Sequence, residues 1–385
     1  MGPSGVSQSP LPGEVQGPPG EALRLLSYLS PSGEYDERAV ADLGIPAELL
    51  RRIYRGMLLV RTMDERLLTM QRQGRIGFYG EARGQEASVI GTAAALGDKD
   101  YIVPALREAG AALYRGLPLR AYIAQLFGNA NDVCKGRQMP CHPGSRAAHY
   151  VTMSSCIGTQ LPHATGLALA AKVKRDGAVV AGYLGDGATS EGDFHVALNF
   201  AGVWKAPVVF VCQNNQWAIS TPVSVQTAAP TIAHKALGYG IPALRVDGNC
   251  VLACYTAMRY AVEHARAGRG PVFIEALTYR VGAHSSSDDP SRYRDESITA
   301  TWKNERDPLV RARRFMLRSG ALSEADERAL SEAVDAEVRA AIAAEEHAGP
   351  PPLQTLVEDV YAEIPRGLRE QLAEVASLPR QSHGG

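Results

Sequence analysis

Residues 178–215 read AVVAGYLGDGATSEGDFHVALNFAGVWKAPVVFVCQNN, and this stretch decides the fold. Ala178-Val-Val-Ala-Gly-Tyr-Leu184 is a nearly unbroken apolar run of strand length, and Pro207-Val-Val-Phe-Val-Cys212 is a second. Between them, residues 190–204 carry Phe194, Ala197, Leu198 and Ala201 at helical spacing. Runs that are apolar at every position suit strands buried on both faces. The pattern is therefore a βαβ unit, which implies a parallel sheet with a right-handed crossover.

The reading extends outward in both directions. Leu49, Leu50, Ile53, Tyr54, Met57 and Leu58 recur with helical period over 47–73, which Pro46 opens and Gly74 stops. A helix is expected over 251–267, then a strand over 271–277 that runs into the polar loop 280–294. Residues 323–346 are nearly all good helix formers, and Pro350-Pro-Pro352 introduces a short tail helix. The segment 135–150 is irregular and rich in Gly, Pro, Arg and His, which suits a functional loop or a plain connection. The expected organisation is an α/β domain over 46–320, a parallel sheet flanked by helices. A flexible leader and arm over 1–45 precede it, and a helical C-terminal tail over 321–385 follows.

Composition bounds the partners. The 385 residues are 45% apolar and 21% charged, enough for a large core, and 40 basic against 41 acidic residues leave a net charge of −1. No sequence-wide field draws the chain to nucleic acid or an anionic membrane. The first twenty residues are rich in Gly and Pro and lack Lys and Arg, unlike a secretory or mitochondrial targeting segment. No apolar stretch approaches the roughly 18 residues of a membrane span. Cys134, Cys141, Cys156, Cys212, Cys250 and Cys254 include no C-x-x-C pair and suit a reducing, cytoplasmic setting; the Cys/His spacing of a zinc module is missing.

The chemistry sits at the two strand ends. Gly185-Asp186-Gly187 closes the first strand and Asn214-Asn215 the second, and adjacent parallel strands bring their carboxyl ends side by side, where ligands bind. A carboxylate from Asp186, an amide oxygen from Asn215 and a backbone carbonyl near Trp217 would suit magnesium shared with a diphosphate. The helix beginning near Ser190 aims its N-terminus at the same place. A lone Gly-Asp-Gly is more often a bland turn; its place between two buried strands favours the functional reading. Gly182, Gly185 and Gly187 run in the reverse order of a dinucleotide fingerprint, and no G-x-x-x-x-G-K-[ST] loop is present.

These motifs, with GDGATSEGDFHVALNF (185–200), NNQWAISTP (214–222) and YRVGAHSSSDDPSRYR (279–294), resemble the alpha subunits of thiamine-diphosphate-dependent 2-oxoacid dehydrogenases. The similarity covers roughly residues 71–365, through QRQGRIGFY (71–79), LREAG (106–110), KGRQMPCH (135–142), SSCIGTQ (154–160) and VEDVYAEIP (357–365). Within that group the chain looks most like the branched-chain, 2-oxoisovalerate members, with pyruvate and acetoin dehydrogenases as the near alternatives. A catalytically silent scaffold homologue is the alternative of a different class, and intact Asp186, Asn215 and His284 speak against it.

The resemblance implies a thiamine-diphosphate-binding fold that decarboxylates a 2-oxoacid and passes the acyl group to the lipoyl domain of a dihydrolipoyl acyltransferase. By similarity Asp186, Asn215 and the Trp217 carbonyl hold magnesium, and Arg107, Ser155, Gly187 and Ala188 contact the cofactor. Arg280, in the same loop as His284, is read either as a phosphate contact or as a partner of Asp288 or Asp289. Leu106 stands where the family has tyrosine. Gln213 stands where some members have arginine, which leaves the diphosphate one cationic contact fewer. Ile157 matches the apolar wedge that bends the cofactor, and Ser154, Cys156, Thr159 and Gln160 match a potassium site. His284 is the catalytic candidate, a histidine of near-neutral pKa that can move protons. His142, His149 and His163 are read as packing or surface residues. The family divides its active site: a beta subunit supplies a glutamate, in a heterotetramer of two alpha and two beta chains. In relatives from higher organisms the serine matching Ser285 is phosphorylated, and Asp295 stands at a second phosphoserine position.

Overall fold

The protein is described here by a computed structural model, in which residues 23–379 are placed. Residues 1–22, about half of the expected leader and arm, and 380–385 of the expected tail lie outside the described residues. The strands are β1 (Leu25–Leu26), β2 (Tyr101–Val103), β3 (Val180–Gly185), β4 (Val208–Asn214), β5 (Trp217–Ala218), β6 (Thr221–Pro222), β7 (Ala243–Asp247) and β8 (Val272–Leu277). Six of them form one parallel sheet in the order β1-β7-β8-β4-β3-β2, while β5 and β6 make a small antiparallel hairpin. The βαβ unit read from 178–215 is β3, the helix Gly192–Trp204 and β4.

Alternation along the strands explains why the sheet needs helices on both sides. Ala181, Tyr183, Val209, Val211 and Ile274 join one apolar cluster with the helices Ala47–Arg72, Glu86–Ala93 and Val251–Arg266. Val180, Leu184, Phe210, Cys212 and Phe273 point the other way, into a second cluster with Gln160–Lys174, Gly192–Trp204 and Ala233–Leu237. Burial on both faces is what makes these strands continuously apolar.

The first cluster runs across both boundaries expected from composition. Tyr28 and Leu29 join it from the N-terminal side, and β1 pairs with β7 through Leu25 and Arg245, so residues 23–45 contribute an edge strand and core contacts. Val334, Val338 and Ile342 join it from the helix Glu324–Glu346. That helix starts where Ser323 accepts a hydrogen bond from the Asp326 N–H, an N-cap that satisfies one otherwise free donor. Beyond it lie two short helices, Thr355–Glu358 and Arg366–Ser377.

Candidate active site

At the carboxyl ends of β3 and β4 lies a cavity of about 400 Å³. The register Gly185↔Gln213 sets the two strand ends level, so Asp186 and Asn215 emerge beside one another. The expected residues Leu106, Arg107, Ser154, Ser155, Ile157, Gln160, Asp186, Gly187, Ala188, Gln213, Asn215, Trp217 and His284 line this space. Arg280, Cys156 and Thr159 are not among its lining residues.

Local geometry explains the metal-site side. The chain leaves β3 through a tight 3-10 turn, Asp186–Ser190, closed by Thr189 Oγ1 donating to the Asp186 carbonyl at 2.8 Å. Gly187 is obligatory, because a Cβ there would stand 2.6 Å from Ala218 Cβ in the β5 hairpin. The long helix therefore begins only at Gly192, later than expected, and Glu191 rather than a free helix end faces the cavity. Burial pushes the Asp186 carboxyl up to about 6, although the Asp186 and Asn215 N–H groups and the Gln226 amide (3.1 Å) partly offset it. Asn215 donates to Gln85 Oε1 at 3.1 Å and accepts from the Trp217 N–H at 3.2 Å. The Gln85 Nε2 is buried without a partner. A buried carboxylate with no ion-pair contact among the described residues, beside an amide oxygen and an unpaired donor, fits a divalent ion with an anionic ligand.

The opposite wall is a braced loop. His284 donates its N–H to Asp288 Oδ2 at 2.7 Å, and its carbonyl accepts from Arg107 Nη2 at 2.7 Å. Arg107 also donates to the Glu81 carbonyl, so both its ends hold backbone. Burial, then repulsion from Arg107 and Arg280, pushes the His284 imidazole down to about 4. In the chain alone the imidazole thus lies below the near-neutral value expected of it, and a bound anion would raise it.

Three more of the expected groups have partners within the chain. Arg280 is buried and does not line the cavity; it donates to the Ile219 carbonyl (2.7 Å), the Tyr293 hydroxyl (2.6 Å) and more weakly the Trp217 carbonyl (3.4 Å), and it pairs with Asp288 at 4.0 Å, one of the two roles expected of it. It braces the hairpin that carries Trp217. Gln213 lines the cavity, yet both ends of its amide are engaged, with Ser88 Oγ and Glu108 Oε1. In the potassium set, Thr159 Oγ1 donates to the Cys156 carbonyl (2.8 Å) and lies 3.3 Å from the Ser154 hydroxyl, whereas Gln160 donates across to the Tyr183 carbonyl on β3 (3.0 Å).

Several lining residues escaped the sequence reading, two of them buried and titratable. His142, expected to be packing or surface, is buried at the cavity, with Nδ1 donating to the Pro140 carbonyl at 2.9 Å and Nε2 paired with the Ser155 hydroxyl. Glu108 is buried and its carboxyl is pushed up to about 7 by desolvation. Its place in LREAG beside Arg107 was the only available signal. Behind the His284 loop a second cavity of about 410 Å³ holds Arg72, Glu81, Ser285, Asp288 and Arg294. No helix among the described residues is long and apolar enough to cross a membrane.

Comparison with known proteins agrees with this geometry. Residues 54–354 match the family model described as dehydrogenase E1 component. The 2-oxoisovalerate dehydrogenase subunit alpha 2, mitochondrial, of Arabidopsis thaliana is 45% identical over 327 residues, 85% of this chain and 69% of that protein. The human 2-oxoisovalerate dehydrogenase subunit alpha, mitochondrial, is 43% identical over 335 residues, 87% of this chain and 75% of its own length. The 3-methyl-2-oxobutanoate dehydrogenase subunit alpha of Mycobacterium tuberculosis is 45% identical over 339 residues, covering 86% and 89%. The chain belongs to the dehydrogenase E1 component family, whose members depend on thiamine diphosphate.

Proposed function

We propose that this chain is the alpha half of a branched-chain 2-oxoacid dehydrogenase, acting on 2-oxoisovalerate-type substrates and delivering the acyl group to the lipoyl domain of a dihydrolipoyl acyltransferase. The observation that carries it is the convergence of Asp186, Asn215 and the β5 hairpin at one cavity, in a chain so similar to 2-oxoisovalerate alpha subunits.

When bound, thiamine diphosphate supplies the electron sink for decarboxylation. Asp186 and Asn215 would hold magnesium through their side chains and Trp217 through its carbonyl. Arg107, Ser155, Gly187 and Ala188 would contact the cofactor, with Leu106 and Gln213 packing beside it and Ile157 as its apolar support. Arg280 acts indirectly, through the hairpin. His284, neutral at pH 7, is placed to exchange protons with the reacting groups, held there by Arg107 and Asp288. For potassium, the support is the grouping of Ser154, Cys156 and Thr159 in one turn, with Gln160 following directly.

A beta subunit, in a two-alpha, two-beta heterotetramer, completes the site. Support comes from exposed apolar side chains: Ile157 and Ile219 beside the cavity, and Val196, Phe200, Val203 and Trp204 along one face of the adjoining helix. A cytoplasmic setting is supported by six free cysteines. The test is co-expression with the beta partner and comparison of 2-oxoisovalerate, pyruvate and 2-oxobutyrate decarboxylation. A higher kcat/KM for 2-oxoisovalerate is expected; preference for pyruvate would overturn the substrate assignment, and turnover by the lone alpha chain would overturn the divided site.

A further inference from the structure

Glu108 has no place in the chemistry described so far, yet it lies in the cavity wall with Arg107, Asp186 and Asn215. Its carboxylate is buried and rests on neutral donors, accepting from the Ala105 N–H at 2.8 Å and from the Gln213 amide. The charged neighbour is Arg107, whose guanidinium is turned toward the Glu81 and His284 carbonyls. The titratable groups facing it from other segments are the phenols of Tyr150 and Tyr183, both buried and held protonated by burial.

The hydrogen bonds around Gln213 can be written in two consistent ways. With Glu108 ionised, Gln213 Nε2 donates to it and Gln213 Oε1 accepts from Ser88 Oγ, at 2.7 Å. Ser88 also stands 2.9 Å from the Gln85 carbonyl, and its single proton cannot serve both acceptors. Turning the amide over resolves this: Gln213 Nε2 donates to Ser88, Ser88 donates to Gln85, and Gln213 Oε1 becomes an acceptor facing Glu108. That arrangement requires a proton on Glu108. A carboxylate paired with a reversible amide is thus built to hold either charge state, and a polyanion entering the same cavity favours the neutral one.

Resting on the cofactor reading above, we propose that Glu108, Gln213 and Ser88 form a proton-coupled relay in which diphosphate binding is accompanied by uptake of one proton on Glu108 and reversal of the Gln213 amide. The O–H bond forms on a carboxylate oxygen, solvent supplies the proton, and no other bond changes. Burial already holds the free carboxyl near 7, so the coupling operates in the neutral range.

The chain assembled with its beta partner is titrated with thiamine diphosphate and Mg²⁺ in buffers of different ionisation heat. Wild type should take up up to about one more proton at pH 8 than Glu108→Gln, and its Kd should rise by as much as about tenfold per pH unit above 7 relative to the variant's. Equal proton counts in the two proteins would overturn the relay. Should Glu108→Gln fail to fold, an infrared difference spectrum of wild type decides: a protonated-carboxyl band gained on binding supports the proposal, and its absence overturns it. No binding by wild type would overturn the cofactor assignment itself, and the relay with it.

Discussion

Asp186 and Asn215 stand at or just past the ends of two central strands, β4 being buried along its whole length, whereas His284 stands on a loop whose residues 281–290 are all at least partly accessible. The first wall takes its shape from sheet register, one obligatory glycine and a 3-10 turn. The second is tied down side chain to backbone: Arg107 holds the His284 carbonyl, and Arg294 holds the carbonyls of Arg280, Val281 and Gly282 at 2.7, 2.8 and 3.1 Å. The strand wall is set by the fold and suits fixed ligands of an ion. The loop wall is set by a few cations and suits groups whose position must be adjustable.

The largest effect should come from the strand wall. Asp186→Ala removes the one carboxylate proposed for magnesium, and the loss expected is about 3 kcal/mol or more, at least roughly a hundredfold in cofactor affinity. Calorimetry on the assembled protein measures it. Unchanged affinity would mean that the strand ends are not the metal site.

Arg294→Ala sharpens the contrast, because Arg294 holds the loop without lining the cofactor cavity. Freed carbonyls should let His284 drift, and drift of about 1 Å can cost up to roughly a hundredfold in turnover. Cofactor affinity should stay within about threefold. Protease cleavage in 281–294 should rise in parallel. If this variant weakened cofactor binding as much as Asp186→Ala, the two walls would not be separable.

Stability against pH should separate them as well. Asp186 has its carboxyl raised in the fold, so its contribution is fully present below the unfolded value near 4 and is lost as pH rises through about 6. Asp186→Asn should therefore match wild type near pH 4 and exceed it by about 1–3 kcal/mol at pH 8, without magnesium or cofactor. His284 runs the other way: its depressed value means stability falls as pH drops from about 6.5 toward 4. Denaturant midpoints across pH 4–8 check both signs. A Asp186→Asn advantage that did not grow with pH would show that Asp186 is not strained by burial.

The strand wall was legible in the sequence and the loop wall was not, for a physical reason. Apolar runs at 178–184 and 207–212 report burial directly, and parallel pairing then forces Asp186 and Asn215 together. The helix over 47–73 was equally plain from its period and closes as Ala47–Arg72. Arg280 and His142 carry no period. Whether an arginine faces a ligand or a backbone carbonyl depends on a partner 61 residues away in the case of Ile219, which no local pattern encodes. The two-residue β1 is too short to alternate, and its inclusion in the sheet depends on β7.

The smallest effects test the loop itself. Ser285 lines the cavity behind the loop, with Arg72 and Arg294, and not the cofactor cavity, so charge placed there acts on the brace more than on the diphosphate. Ser285→Glu should draw Arg294 from the Arg280–Gly282 carbonyls and lower turnover with free lipoyl domain as acceptor by about tenfold, leaving cofactor affinity nearly intact. Asp295→Ser should do far less. Asp295 is the N-cap of the helix Glu296–Glu305, accepting from the Ser297 N–H at 2.8 Å, and serine fills that role about equally well. Its turnover should remain within about twofold of wild type, whereas Asp295→Ala, which cannot cap, should make the helix start and the neighbouring loop more susceptible to protease. Steady-state rates with lipoyl acceptor, set beside cleavage in 281–300, distinguish the two. Full activity in Ser285→Glu would show that the loop wall tolerates charge from behind, and that its bracing does not govern the position of His284.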